Sequence, residues 1–279
     1  MSDYLDQKID YNQPEVVLAL DELSLWSARF GIFLLEQLEI VGGLEVLDLG
    51  CGTGFPLLEL AQLSGSTCHF TGLDVWKAGL ERAEFKSKVY GLKNVEFVLS
   101  EENHFPLPSA KFDLIISNLG INNFAEPDLV LTECARVAKP KARLVLTTNL
   151  TGHFNEFYEV YRQVLFELNL HELYLERLEA NEQHRSNRDI VIQRLKQTGF
   201  TPAKIVESQF QMQFSDGSAL LRHWLTRLGF LDGWREIVDS TTEKTVFSRL
   251  EQTLNEKAQS EGSLKMTVLM LYVESLLTT

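Results

Sequence analysis

Cysteine is scarce: three in 279 residues, Cys51, Cys68 and Cys134, with no CxxC pair among them. That count excludes a disulfide scaffold and a structural zinc site, and an odd number reads as free thiols in a reducing compartment. Long apolar runs are missing too. Stretches such as residues 268–273 are far too short to cross a bilayer. The opening residues MSDYLDQKID have neither a basic start nor an apolar stretch, so no signal peptide is expected. A cytoplasmic protein with no membrane partner follows. Basic residues are in deficit, 26 against 39 acidic, for a formal charge of −13. Such a surface repels phosphate backbones, which excludes nucleic acid as a partner. No His, Cys and carboxylate spacing suggests a metal, so none is assigned. Neither an internal repeat nor a low-complexity linker interrupts the chain.

What remains is an ordinary globular composition, 44% hydrophobic and 23% charged, with 17 glycines and seven prolines. Between residues 45 and 148, short β-branched or leucine-rich runs alternate with helical patterns, the signature of a parallel sheet covered on both faces. The expected strands are EVLDL (45–49), HFTGL (69–73), VEFVL (95–99), FDLIIS (112–117) and RLVLTT (143–148), with helices over 56–63, 77–90 and 127–138. Ligands in such sheets bind beyond the carboxyl ends of the strands, and glycine and polar residues gather there. After residue 148 the pattern turns helical: Phe154, Phe157, Tyr158, Tyr161, Val164, Leu165 and Leu168 share one face. A further helix is expected over 187–196. Two late strands, about 204–214 and 264–272, enclose helices over about 218–229 and 245–258. Three segments follow: an N-terminal helical one (1–44), a core (45–150), and a helical lid (151–279) holding the last two strands. The apolar face of Trp26, Phe30, Phe33, Leu34 and Leu38 fits a covered core or a homodimer interface equally.

The most informative stretch is VLDLGCGTGFP, where three alternate glycines follow a buried strand and precede a helix. Phe55 stands where a dinucleotide fingerprint needs glycine, and no phosphate-cradling lysine follows. The string Asp48, Leu49, Gly50, Cys51, Gly52, Thr53, Gly54 resembles motif I of the class I S-adenosylmethionine-dependent methyltransferases. Asp74 at the end of the second strand, the stretch SEENHFPLPSAKFDLIISNLG and the run ARVAKPKARLVLTT extend the resemblance over residues 23–150, with Lys141 and Ala142 in place of the family's usual glycine pair. It implies a doubly wound, mostly parallel seven-stranded Rossmann-like sheet with an antiparallel last strand and helical lid insertions.

The resemblance also implies roles. S-adenosylmethionine is the cofactor and S-adenosylhomocysteine the product. Gly50, Cys51, Gly52 and Gly54 pass close to the methionine moiety, and Asp48 fixes the loop or reaches the amino group through water. Asp74 receives the ribose hydroxyls, Val75 and Trp76 pack near the adenine, and Glu101 and Glu102 lie where its exocyclic amine is read. Asn118 and Leu119 line both cofactor and substrate. SNLGINN is not the NPPY motif of base or glutamine methylation, because Leu119 and Gly120 can neither hold an amide nor stack.

The expected reaction is in-line methyl transfer to a small molecule under the lid, to oxygen first, then sulfur or nitrogen, with His153 as candidate base and Tyr158 one turn beyond it. The lid aromatics Phe154, Phe157, Tyr158, Tyr161, Phe210, Phe214, Trp224, Phe230 and Trp234 suggest an apolar pocket. Arg177, Arg185, Arg188 and Arg194 could receive a substrate carboxylate or phosphate. Two alternatives stand beside this reading. One is carboxyl methylation of an acyl group on a carrier protein; the other is a non-catalytic S-adenosylmethionine-binding partner or sensor.

Overall fold

A computed structural model describes residues 3–6, 9–21, 25–101 and 103–278 of the chain. Seven strands, β1 (Glu45–Leu49), β2 (His69–Asp74), β3 (Val95–Leu99), β4 (Phe112–Asn118), β5 (Ala138–Asn149), β6 (Phe200–Phe214) and β7 (Leu264–Leu277), form one sheet in the order β3-β2-β1-β4-β5-β7-β6. The pairs β3–β2, β2–β1, β1–β4 and β4–β5 are parallel, and β7 runs antiparallel to β5. The strand order reverses between β1 and β4, and a crevice opens beyond strand ends at such a switch point.

The chain divides into two compact units. The sheet unit is drawn from residues 10–149, 187–208 and 270–279. Its central strands are apolar because both faces are covered: Val46, Leu47, Leu49, Leu114, Ile115 and Ile116 are all buried. Helices α1 (Pro14–Asp21), α2 (Ser27–Gln37), α3 (Leu57–Ser64), α4 (Lys77–Val89), α5 (Pro127–Val137) and α8 (Arg188–Gln197) complete it. On α2 the buried face is Phe30, Phe33 and Leu34, the spacing of one helical stripe, and it packs against β4 and β5. Asp21 anchors α1 to α4 by accepting from Arg82 Nε at 2.7 Å and from Lys86 Nζ. Lys141 turns the chain within β5 at φ 65°, the left-handed conformation that the glycine it replaces would adopt without strain.

The helical unit, drawn from 1–9, 150–186 and 209–269, holds α6 (Asn155–Glu167), α7 (His171–Glu182), α9 (Gly217–Arg222), α10 (Trp224–Gly229), α11 (Leu231–Arg235) and α12 (Ser240–Glu261). The helix expected over 218–229 is two short ones, broken at His223, whose side chain caps the second by accepting from Leu225 N–H at 3.2 Å. Most of the aromatics that suggested a pocket fill this unit's own core. Phe154, Phe157, Tyr158, Tyr161 and Trp234 are fully buried, and Phe157 stacks on Trp234 at 3.8 Å between centroids. No helix among the described residues is long and apolar enough to cross a membrane.

Candidate functional site

The glycine loop is built by the end of β1 and the start of α3. Gly50, Gly52 and Gly54 all take positive φ, 76°, 51° and 99°, so a side chain at any of them is strained. Their surroundings differ. A Cβ on Gly54 would strike Leu58 at 2.8 Å, whereas one on Gly52 would meet nothing within 4 Å. Gly54 is thus needed for packing, and Gly52 borders open space. Gly50 N–H donates to the Leu73 carbonyl at 2.8 Å, which ties the loop to the end of β2.

Asp74 closes β2 and organises the loop in front of it. Its Oδ2 accepts from Gly52 N–H at 2.7 Å and its Oδ1 from Trp76 N–H at 2.8 Å. Each carboxylate oxygen keeps a further lone pair for a ligand hydroxyl. Asp48, by contrast, is buried behind the loop at 0% exposure, with neither carboxylate oxygen hydrogen-bonded among the described residues. Burial, reinforced by the Asp74 charge and tempered by the Leu57 amide, pushes its carboxyl up to about 8. Cys51 is buried as well, and burial beside Asp48 and Asp74 holds its thiol protonated.

A cleft of about 210 Å³ opens at the strand ends. Of the residues expected at the site, Gly50, Asp74, Val75, Glu101, Asn118 and Leu119 line it. Val75 is 56% exposed, an apolar side chain held open beside the Asp74 carboxylate. Trp76 packs over Gly79 instead, with its ring carbons 2.3 Å from where a Cβ there would sit. Glu102 lies outside the described residues. Leu49, Leu73, Gly120, Asn123 and Phe124 complete the wall. The sequence had flagged the SNLGINN loop without resolving which of its members face inward, and it gave no sign of Phe124.

The acceptor-side candidates belong to the helical unit. His153 is buried, with Nδ1 3.2 Å from the Leu150 carbonyl, so Nδ1 carries the proton and Nε2 the lone pair. Burial, and then the Arg185 charge, pushes its imidazole down to about 3 and keeps it neutral. Tyr158 donates to Asn181 Oδ1 at 2.9 Å and accepts from Trp234 Nε1 at 3.3 Å, and burial pushes its phenol up to about 12. Of the four arginines, Arg177 in the helical unit meets Asp239, while Arg188 and Arg194, on α8 of the sheet unit, meet Glu207 and Asp128.

A glycine loop, a strand-end carboxylate and an open cleft at the switch point suit a nucleoside with a charged amino-acid tail. Residues 40–182 match the family model described as a methyltransferase domain, half of the chain. The chain belongs to the class I S-adenosylmethionine-dependent methyltransferases. Among curated proteins it is 31% identical over 136 residues to the demethylmenaquinone methyltransferase of Lactococcus lactis, covering 49% of this chain and 52% of that protein. It is 30% identical over 149 residues to the ubiquinone/menaquinone biosynthesis C-methyltransferase of Psychromonas ingrahamii, covering 52% and 58%. The chain thus spans about half the length of the curated relatives it matches. A solved S-adenosylmethionine-dependent methyltransferase from Aquifex aeolicus superimposes with a TM-score of 0.53 at 27% identity, covering 71% of this chain and 93% of that one.

Proposed function

We propose that this chain binds S-adenosylmethionine in the cleft between the glycine loop and Asn118 and transfers its methyl group to a small organic molecule. The observation that carries this is Asp74. One carboxylate holds the glycine loop through Gly52 and still lines the cleft with free lone pairs, as recognition of vicinal ribose hydroxyls requires. When bound, S-adenosylmethionine supplies a methyl group on a sulfonium sulfur and leaves as S-adenosylhomocysteine. The chain's own task is to align the nucleophile with that methyl and to exclude water.

The relatives named for quinone biosynthesis add an electron-rich ring carbon to the oxygen that the sequence favoured as acceptor atom. Either nucleophile loses a proton, and His153 is our candidate to take it or to hold the hydroxyl through Nε2. A histidine so easily kept neutral is a weak base, which suits an acidic phenol or reduced quinone better than an alcohol. Acceptor choice is assigned to the helical unit, most of which lies beyond the family match at residue 182. The carrier-protein reading needs arginines to receive an acidic carrier, and of those in the cluster Arg188 already faces Glu207 at 3.4 Å.

Methyl-labelled S-adenosylmethionine incubated with the chain and a panel of reduced quinones, phenols and thiols tests this reading. Label should move into at least one reduced quinone or phenol, and Asp74→Ala should abolish the transfer. Cofactor binding with no transfer to any member would support the non-catalytic alternative.

A further inference from the structure

β4 and β5 run parallel in register to their carboxyl ends, where Asn118 lies beside Thr147. Thr147 is at 0% exposure, and a hydroxyl so placed must be satisfied by protein. It grips the start of the cleft loop twice. Its carbonyl accepts from Leu119 N–H at 3.0 Å, and its Oγ1 donates to Asn118 Oδ1 at 2.7 Å. On the other side, the Ser27 carbonyl stands 3.5 Å from Asn118 Nδ2. A carbonyl can only accept, so the nitrogen end of the carboxamide faces Ser27 and the oxygen end faces Thr147. The second N–H of Nδ2 has no acceptor among the described residues, and the side chain lines the cleft.

The backbone around this amide is braced. Ser117 Oγ donates to the Leu49 carbonyl at 2.9 Å, Leu119 is left-handed at φ 64°, and a Cβ on Gly120 would lie 2.8 Å from the same carbonyl. What the backbone leaves undetermined is the side-chain torsion of Asn118, and the Thr147 hydroxyl fixes it. The cleft is also polarised. Asp74 and Glu101 offer acceptors at the β2 and β3 ends, while Asn118 offers a donor at the β4 end, beside Gly50.

We infer that Thr147 is a positioning residue, whose buried hydroxyl turns the Asn118 amide N–H into the cleft to receive the carboxylate at the amino-acid end of S-adenosylmethionine. The inference rests on the cofactor reading above. Without the hydroxyl, only the 3.5 Å contact with the Ser27 carbonyl orients the carboxamide, and a half turn presents its oxygen to that carboxylate, which repels it.

Calorimetric titration of the full chain with S-adenosylhomocysteine and with 5′-deoxy-5′-methylthioadenosine, which lacks the amino-acid end, tests it. Thr147→Val should weaken S-adenosylhomocysteine about tenfold, the scale of one hydrogen bond to a charged group, and leave methylthioadenosine unchanged. Thr147→Ser should restore the wild-type affinity, and Thr147→Val should add nothing in an Asn118→Ala background. Asn118→Asp keeps an acceptor for Thr147 but has no N–H, so it should show the same ligand-selective loss even where the valine variant folds poorly. Unchanged S-adenosylhomocysteine affinity in Thr147→Val, or equal weakening of both ligands, would overturn the assignment. A wild-type chain that binds neither ligand would instead remove the cofactor reading on which it stands.

Discussion

Asp48 is a carboxyl at 0% exposure in the sheet unit, with the Leu57 amide alone to temper the cost of its charge. Folded, it holds its proton up to about pH 8; unfolded, it releases it near 3.8. Between those values the native state binds more protons than the unfolded one, so this group's contribution to stability is full below pH 4 and is lost as pH rises to about 8. Chemical denaturation at pH 5 and pH 8 should show Asp48→Asn gaining on the wild type at the higher pH. Parallel curves for the two proteins would mean that the carboxyl finds a partner in solution. Burial acts oppositely on His153, which stays neutral from about pH 3 upwards. A pH–rate profile should therefore lack an acid limb near 6.5, and such a limb vanishing in His153→Ala would contradict the assigned environment. At this scale the sequence revealed the groups with a motif around them, Gly50, Asp74 and Asn118. It could not reveal Thr147, because the pairing of Asn118 with Thr147 depends on the register of β4 against β5, which is set by the packed sheet.

Secondary-structure elements turn the glycine string into a site. Gly54 and Gly52 share positive φ but differ in surroundings, so their alanine variants should separate. Gly54→Ala forces Leu58 aside and should lower the melting temperature strongly. Gly52→Ala costs only left-handed strain of about 1–2 kcal/mol, yet it should weaken S-adenosylhomocysteine because the methyl group occupies open space at the loop. Equal melting temperatures for the two would refute this division of labour. In the helical unit, Tyr158 links α6 to Asn181 on α7 and Trp234 on α11. Tyr158→Phe strands both partners and should cost about 1–3 kcal/mol in denaturation, while a fully stable variant would return the hydroxyl to the list of catalytic candidates. β1, β2 and β4 were legible because their apolar runs are continuous and mostly buried, whereas the edge strand β3, exposed or half-buried throughout, was legible from its β-branched and aromatic residues. β6 was legible only in part: its first half alternates irregularly between exposed and half-buried positions, so its start at Phe200 left no apolar run. β5 begins at Ala138 rather than near 143, and its early part left no apolar run because Pro140 and Lys141 are exposed.

Across the whole molecule, the cleft we propose for the cofactor lies at the strand ends within the family match at residues 40–182, and most of the helical unit, to which we assign acceptor choice, lies beyond that match. Its aromatics are mostly committed to its own core, so the acceptor side cannot be read from composition alone. The cofactor reading rests instead on the glycine loop and Asp74, and acceptor choice depends on it. Calorimetric titration of the purified chain with S-adenosylmethionine, repeated on Asp74→Ala, tests it most directly. One ligand should bind per chain, and the variant should bind at least about tenfold more weakly, as expected for losing hydrogen bonds to a charged group. A folded wild-type protein that binds neither S-adenosylmethionine nor S-adenosylhomocysteine, or an Asp74→Ala variant that binds as well as the wild type, would contradict the account.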